Sequence, residues 1–160
     1  ISAVNGPAAG AGANLALAAD IVIAAESAVF VQAFSRIGLI PDAGGTFFLP
    51  RQVGFARAMG AALFAEPVTA REAVEWGMIW EAVPDETFNA HWRKRAEKLA
   101  NGPTVALGAA KEAIRASMEN GLEQQLLLEA RLQGRCGSTR DFREGVLAFL
   151  DKREANFEGR

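Results

Sequence analysis

Cysteine and histidine are almost missing from this chain, which has one of each in 160 residues. The lone Cys136 leaves no internal disulfide to staple the fold and points to a reducing compartment; a cytoplasmic location is expected. The lone His91 excludes a histidine-based triad within the chain and most zinc constellations, so no metal site is expected. It follows Phe88 and Asn89 in a polar helical segment and reads as a solvated surface residue. There is no Gly-x-Ser-x-Gly elbow and no glycine-rich phosphate loop ending in lysine. Long apolar runs are lacking as well, because Asn14, Asp20 and Glu26 interrupt the best one before it reaches the length of a membrane span. Charge of one sign is not in excess either. A net charge of −2 gives no general attraction to nucleic acid, so groups that bind a phosphate must be local. No internal repeat or low-complexity segment occurs.

What is present is apolar substance. Half the residues are hydrophobic (50%) and 22% are charged, as in a globular chain long enough for one core. The first fifty residues hold just four charges, on Asp20, Glu26, Arg36 and Asp42, so this part is expected to be buried on both sides. Ile21–Ala24 and Ala28–Val31 read as short strands of a covered sheet, with a small-residue helix, Gly10–Ala19, before them. Strand, helix and strand in that order imply an α/β layer.

Two glycine-bearing turns organise this part. The first, Asn5 to Asn14, links the strand-like Ile1–Val4 to the helix start. The second runs from Gly38 to Thr46 and carries one carboxylate, Asp42. Small residues admit a ligand close to the backbone, and a helix starting there aims free N–H groups at it. Those groups suit an anion or a developing oxyanion. From spacing alone, plain turn chemistry is the favoured account of Pro41-Asp42-Ala43-Gly44. A dinucleotide fingerprint is not supported, because Leu15 stands where its third glycine would fall.

Further on, Ala56–Ala65 reads as an apolar helix. Thr69-Ala70-Arg71-Glu72 is a capping box that opens another, closed by Gly77. Met78–Val83 reads as a strand. Trp76 and Trp80 suit core packing or a pocket wall, and Glu66 is a loop carboxylate that is either solvated or a second acid. After Asp85 charges become frequent. Helices are expected over 87–101, 105–118 and 122–133, and a fourth is capped by Ser138–Asp141, with an apolar stripe of Phe142, Val146, Phe149 and Leu150. So much apolar helical surface on a small domain suggests a partner surface.

The run Ile1-Ser2-Ala3-Val4-Asn5-Gly6, then Gly10-Ala11-Gly12, then Leu17-Ala18-Ala19-Asp20-Ile21 resembles the signature of the enoyl-CoA hydratase/isomerase (crotonase) family. The likeness continues through Ala28-Val29-Phe30, Gly38-Leu39-Ile40-Pro41, Gly44-Gly45-Thr46 and Leu49-Pro50-Arg51. It extends to the Ala73–Gly77 helix end and to Arg143–Phe149 with Lys152-Arg153. It implies a crotonase-type α/β spiral of short strands and helices, with residues 1–84 the C-terminal half of its core. Residues 85–160 would be a helical region that forms homotrimers, often paired as hexamers. It also implies that the family's N-terminal part, with the other oxyanion donor and much of the coenzyme A grip, is not in this chain. The implied ligand is an acyl-CoA, with no cofactor beyond the coenzyme A of the substrate.

By that resemblance the backbone N–H of Ala11 binds the thioester oxygen, Phe34, Pro41 and Gly44 line the substrate pocket, and Lys152 reaches coenzyme A. The two glutamates that handle water in hydratases line up with Asn14 and Phe34, which do no acid–base work. Asp42 stands where hydratases usually have glycine. This pattern resembles the isomerase branch, which includes the ring 1,2-epoxyphenylacetyl-CoA isomerases of phenylacetate degradation. It implies Asp42 as the base and Asn14 as a residue that holds the substrate or Asp42 by hydrogen bonds without titrating. The apolar neighbours Phe34, Leu39, Ile40 and Ala43 are expected to bury Asp42 and make it a better base. A hydratase using Asp42 with Glu66, and a non-catalytic acyl-CoA-binding or assembly subunit, remain open as alternatives.

Overall fold

Short parallel strands have to be joined by crossovers, and the first half of this chain is built from them. The computed structural model describes residues 1–160. Its first compact unit, Ile1–Arg93, holds strands β1 (Ser2–Val4) and β2 (Ala8–Ala9), helix α1 (Ala11–Leu17), and strands β3 (Val22–Ala25) and β4 (Val29–Val31). A 3₁₀ segment (Ala33–Ile37), helix α2 (Gly45–Phe64), strand β5 (Val68–Thr69), helix α3 (Ala70–Glu75) and strand β6 (Glu81–Val83) follow. Helix α4 (Asp85–Ala100) crosses into the second unit, Lys94–Arg160, which holds α5 (Thr104–Ala116), α6 (Leu122–Gly137) and α7 (Arg140–Asp151). The break in compactness thus falls inside α4, whereas the change in composition falls at residue 85.

Two three-stranded sheets form the first unit, in the orders β1-β3-β6 and β2-β4-β5. The first is all parallel, with Ser2 opposite Val22 and Ile23 opposite Glu81. In the second, β2 and β4 run parallel and β4 and β5 antiparallel. All four residues of β3 are buried, as a central strand with no polar face must be. Phe30, Leu17 and Ile23 are among the largest side chains that are fully buried. Each contributes about 1.5–3 kcal/mol by leaving water.

Helix α2 differs from expectation. It begins at Gly45, well before Ala56, and passes through Pro50. Gly54 breaks its regularity with φ 77° and ψ 167°, so α2 is two helical stretches joined at a kink. Gln52 ties it to α1 by donating to the carbonyl of Leu17 at 2.8 Å. The capping box at α3 is present: Thr69 Oγ1 accepts from the Glu72 N–H, and Glu72 accepts from the Thr69 N–H. Gly77, with φ 74°, closes the helix, and the Met78 N–H returns to the carbonyl of Ala73 at 2.8 Å. Met78 and Ile79 are spent on that closure, which is why β6 starts only at Glu81 and not at Met78.

At the start of α4, Asp85 accepts from both the backbone and the hydroxyl of Ser27, so this helix begins two residues before Thr87. Phe88 packs with Ile23, Ala25 and Val83. His91 is not the solvated residue its polar segment suggests; its Nε2 lies 2.9 Å from Glu81 and its side chain is 33% exposed.

In the second unit, Glu112 of α5 pairs with Arg131 and Arg135 of α6, each at 3.3 Å. Thr139 caps α7 by accepting from the Phe142 N–H. The chain then folds back over α7: the buried Asp141 carboxylate accepts from the N–H groups of Glu158 and Gly159 at 2.7 and 2.9 Å. Phe142, Val146, Phe149 and Leu150 form the expected stripe but are exposed, as are Ile114 of α5 and Met118, which lies just past the end of α5 rather than inside it. No helix is long and apolar enough to cross a membrane.

Candidate functional site

Asn14 brings the two glycine-bearing turns together. It sits in the first turn of α1 and is 1% exposed, among the most buried polar residues of the chain. Its Nδ2 donates to the backbone carbonyl of Asp42 at 2.9 Å. Its Oδ1 accepts from Gln32 Nε2 at 2.7 Å. The Asp42 carbonyl also accepts from the Gly45 N–H at 2.8 Å, which closes the loop onto the start of α2. A Cβ on residue 45 would stand 2.2 Å from Asn14 Nδ2, so only glycine lets the amide come this close.

The helix start has the features expected of it. Asn14 is the first residue of α1 whose N–H finds a helical acceptor, the carbonyl of Gly10 at 3.1 Å. The N–H groups of Ala11, Gly12 and Ala13 are left without one, and Ala11 is exposed. Gly10 adopts φ 54° and ψ −129°, which a side chain would strain. Its own N–H is tied to Val31 at 2.8 Å. Phe34 is buried, and its ring lies 3.7 Å from where a Cβ on Gly10 would be, so it packs against the helix start.

The loop itself is open. Asp42 is exposed, and no hydrogen bond or ion pair of the chain engages its carboxylate. Leu39 is 58% exposed and Ile40 79%, so the expected apolar burial of Asp42 is not supplied by these neighbours. The wider expectation that residues 1–50 are buried on both sides also fails over this stretch, where Ile37 and Phe47 are exposed too. Pro41 is half-buried. Gly44, the N-cap of α2, is exposed and lies against the ring of Phe48.

Glu66 is exposed, and no hydrogen bond or ion pair joins it to Asn14 or Asp42. Trp80 is exposed, while Trp76 packs against the core with the Arg57 guanidinium 5.4 Å from its ring. Lys152 is exposed and ends α7 in the left-handed conformation, its N–H turned to the carbonyls of Ala148 and Phe149.

Gln32 is the residue the sequence reading passed over. It is 4% exposed, and its Oε1 has no hydrogen-bond partner. The signal was available: a long polar side chain between Val31 and Ala33, in a stretch otherwise read as buried.

Known proteins resemble this chain along its whole length. A family model described as enoyl-CoA hydratase/isomerase matches residues 1–160. The chain is 66% identical to a "Probable enoyl-CoA hydratase" of Rhodobacter capsulatus, over 100% of this chain and 62% of the relative. It is 55% identical to a "1,2-epoxyphenylacetyl-CoA isomerase" of Escherichia coli, over 100% of this chain and 61% of the relative. The crystal structure of an enoyl-CoA hydratase from Polaromonas superposes with a TM-score of 0.93 at 35% identity, covering 98% of this chain and 61% of that one. The chain thus spans about three-fifths of the length of these relatives. With a match that runs from the first residue to the last and a backbone that follows a solved member so closely, the chain belongs to the enoyl-CoA hydratase/isomerase family, with its crotonase-type fold.

Proposed function

We propose that the full-length protein is an acyl-CoA isomerase that moves a double bond, or rearranges a ring epoxide, through a thioester enolate. Deprotonation next to the thioester carbonyl puts negative charge on its oxygen. The Ala11 N–H binds that oxygen together with a second donor from outside this chain. One such donor is worth about 3–4 kcal/mol in the transition state. Asp42 takes the proton and returns it farther along the conjugated system, a contribution of about 10²–10⁴-fold. Proton transfer of this kind needs no redox cofactor or metal, and coenzyme A enters as part of the substrate.

The observation that carries this reading is the bond from the buried Asn14 to the Asp42 carbonyl. It ties the backbone of the residue that bears the glycine loop's one carboxylate to the first turn of α1. Asn14 is committed to its two amide bonds and Phe34 to apolar packing, so Asp42 is the group free to accept a proton. The relative named an isomerase, at 55% identity, supports it. We further propose that the exposed stripe on α7 is covered in a homotrimer or hexamer, with Lys152 near the coenzyme A of a neighbouring subunit.

The name of the 66% identical relative favours a second reading, enoyl-CoA hydratase. Incubation with a 3-enoyl-CoA and, separately, with a 2-enoyl-CoA separates the two. The isomerase converts the first to its conjugated isomer and forms no 3-hydroxyacyl-CoA from the second. Hydration of the 2-enoyl-CoA as the faster reaction would overturn the proposal.

A further inference from the structure

We propose that Gln32 is a positioning residue for Asp42, acting through the amide of Asn14; its catalytic side rests on the isomerase reading above. A backbone carbonyl only accepts hydrogen bonds, so the Asp42 carbonyl requires the NH₂ end of Asn14. That leaves Asn14 Oδ1 pointing at Gln32, where it is buried and needs a donor. Gln32 Nε2 is that donor, at 2.7 Å. If the Asn14 amide turned over, two oxygens would face each other at Asp42. Gln32 holds it against that inversion.

The unpartnered Gln32 Oε1 fits the same account. A buried acceptor without a partner is costly, and such a cost calls for a reason. Turning the Gln32 amide over would set its oxygen against Asn14 Oδ1 and break the relay. The orphaned oxygen is the end of a chain of donors whose direction is fixed by the Asp42 carbonyl at the other end.

The consequence falls on the carboxylate. No group of the chain holds the Asp42 side chain, so its position depends on its backbone. Two bonds hold that backbone at the carbonyl: one from the Gly45 N–H and one from Asn14. A loosened loop displaces a base from its proton, and a misplacement of about 1 Å can cost about 10²-fold in rate.

Gln32→Met in the full-length protein keeps the volume and removes the donor. It also removes the orphaned Oε1 while orphaning Asn14 Oδ1, so thermal stability is expected to change little. On an isomerisable 3-enoyl-CoA, kcat should fall about tenfold, while KM stays within about twofold, because the loss acts on placement of the base and not on binding. Hydrogen exchange of the backbone amides over residues 42–46 should become faster. If Gln32→Met does not fold, Gln32→Asn, one methylene too short to reach Asn14, carries the same expectations. Wild-type kcat overturns the proposal, and so does a fall in kcat with unchanged loop exchange. If the wild-type protein shows no isomerase turnover, the functional reading fails by itself. The exchange comparison then still decides whether Gln32 positions the loop.

Discussion

The side chain of Asn14 and the main chain of Asp42, 28 residues apart, are joined by one part-buried hydrogen bond of 2.9 Å. The bond goes to the carbonyl and not to the carboxylate. Asn14 therefore fixes where Asp42 stands without neutralising it or competing for its proton.

That contact makes Gly45 a sensitive position. Gly45→Ala would put a methyl group 2.2 Å from Asn14 Nδ2, and the site has no room to yield without breaking the bond. A destabilisation of about 1–3 kcal/mol is expected, with turnover falling further than stability accounts for. Gly60→Ala is the control. It lies in the second stretch of α2 with nothing within 4 Å of the new methyl, so it should stabilise by about 0.5–1 kcal/mol. Chemical denaturation of both variants checks the contrast.

Lys152 is a test of a different kind, because it holds φ 53° at the end of α7. Lys152→Gly should raise the denaturation midpoint, by about 1 kcal/mol in stability, since glycine adopts the left-handed conformation without strain. Lys152→Ala removes the charge but keeps the strain. If the ammonium meets coenzyme A, both variants should raise KM for CoA thioesters equally and leave pantetheine thioesters unaffected. Unchanged KM in both would remove Lys152 from the binding site.

The fold-back over α7 should respond to acid. Hydrogen bonds from Arg153 and from the Asn156 N–H hold Glu144 down at about 2, below its ordinary 4.5. A folded-state value below the unfolded one means stability that is full above about 4.5 and is lost as pH falls towards about 2. Hydrogen exchange at residues 153–158, measured relative to Glu144→Gln, should converge with that variant across this window. A difference that persists unchanged at pH 2 would contradict the assignment.

How much of this was legible depended on the kind of signal. The β3 and β4 strands, the capping box at Thr69 and Glu72, and the closing Gly77 were readable because short-range rules decide them. The first stretch of α2 was not, because Pro50 and Gly54 are helix breakers by local preference, and packing of Leu49 and Val53 into the core overrides that preference. Leu39 and Ile40 misled in another way. Polarity states what a side chain prefers, and here the chain supplies no surface to cover them. The Asn14–Asp42 cluster was half visible: both residues were singled out and Gln32 stands out as a polar residue in an apolar stretch, but the carbonyl as the point of contact required the backbone.

Asp42→Asn decides the proposed chemistry. The carboxylate is exposed and unpaired, so the substitution removes no contact and stability should stay within about 0.5 kcal/mol of wild type. Asparagine suits the same turn, and its carbonyl still receives the bonds from Asn14 and Gly45. The side chain differs in one capacity, since an amide does not accept the proton that a carboxylate does. If Asp42 is the base, kcat on a 3-enoyl-CoA falls by about 10²–10⁴-fold with KM little changed, because a base acts on the transition state. If residues 41–44 are only a turn, kcat and stability both remain those of wild type. Near-wild-type turnover in this variant would end the case for Asp42 as the base, while the bond from the buried Asn14 would stand as a purely structural tie between the two turns.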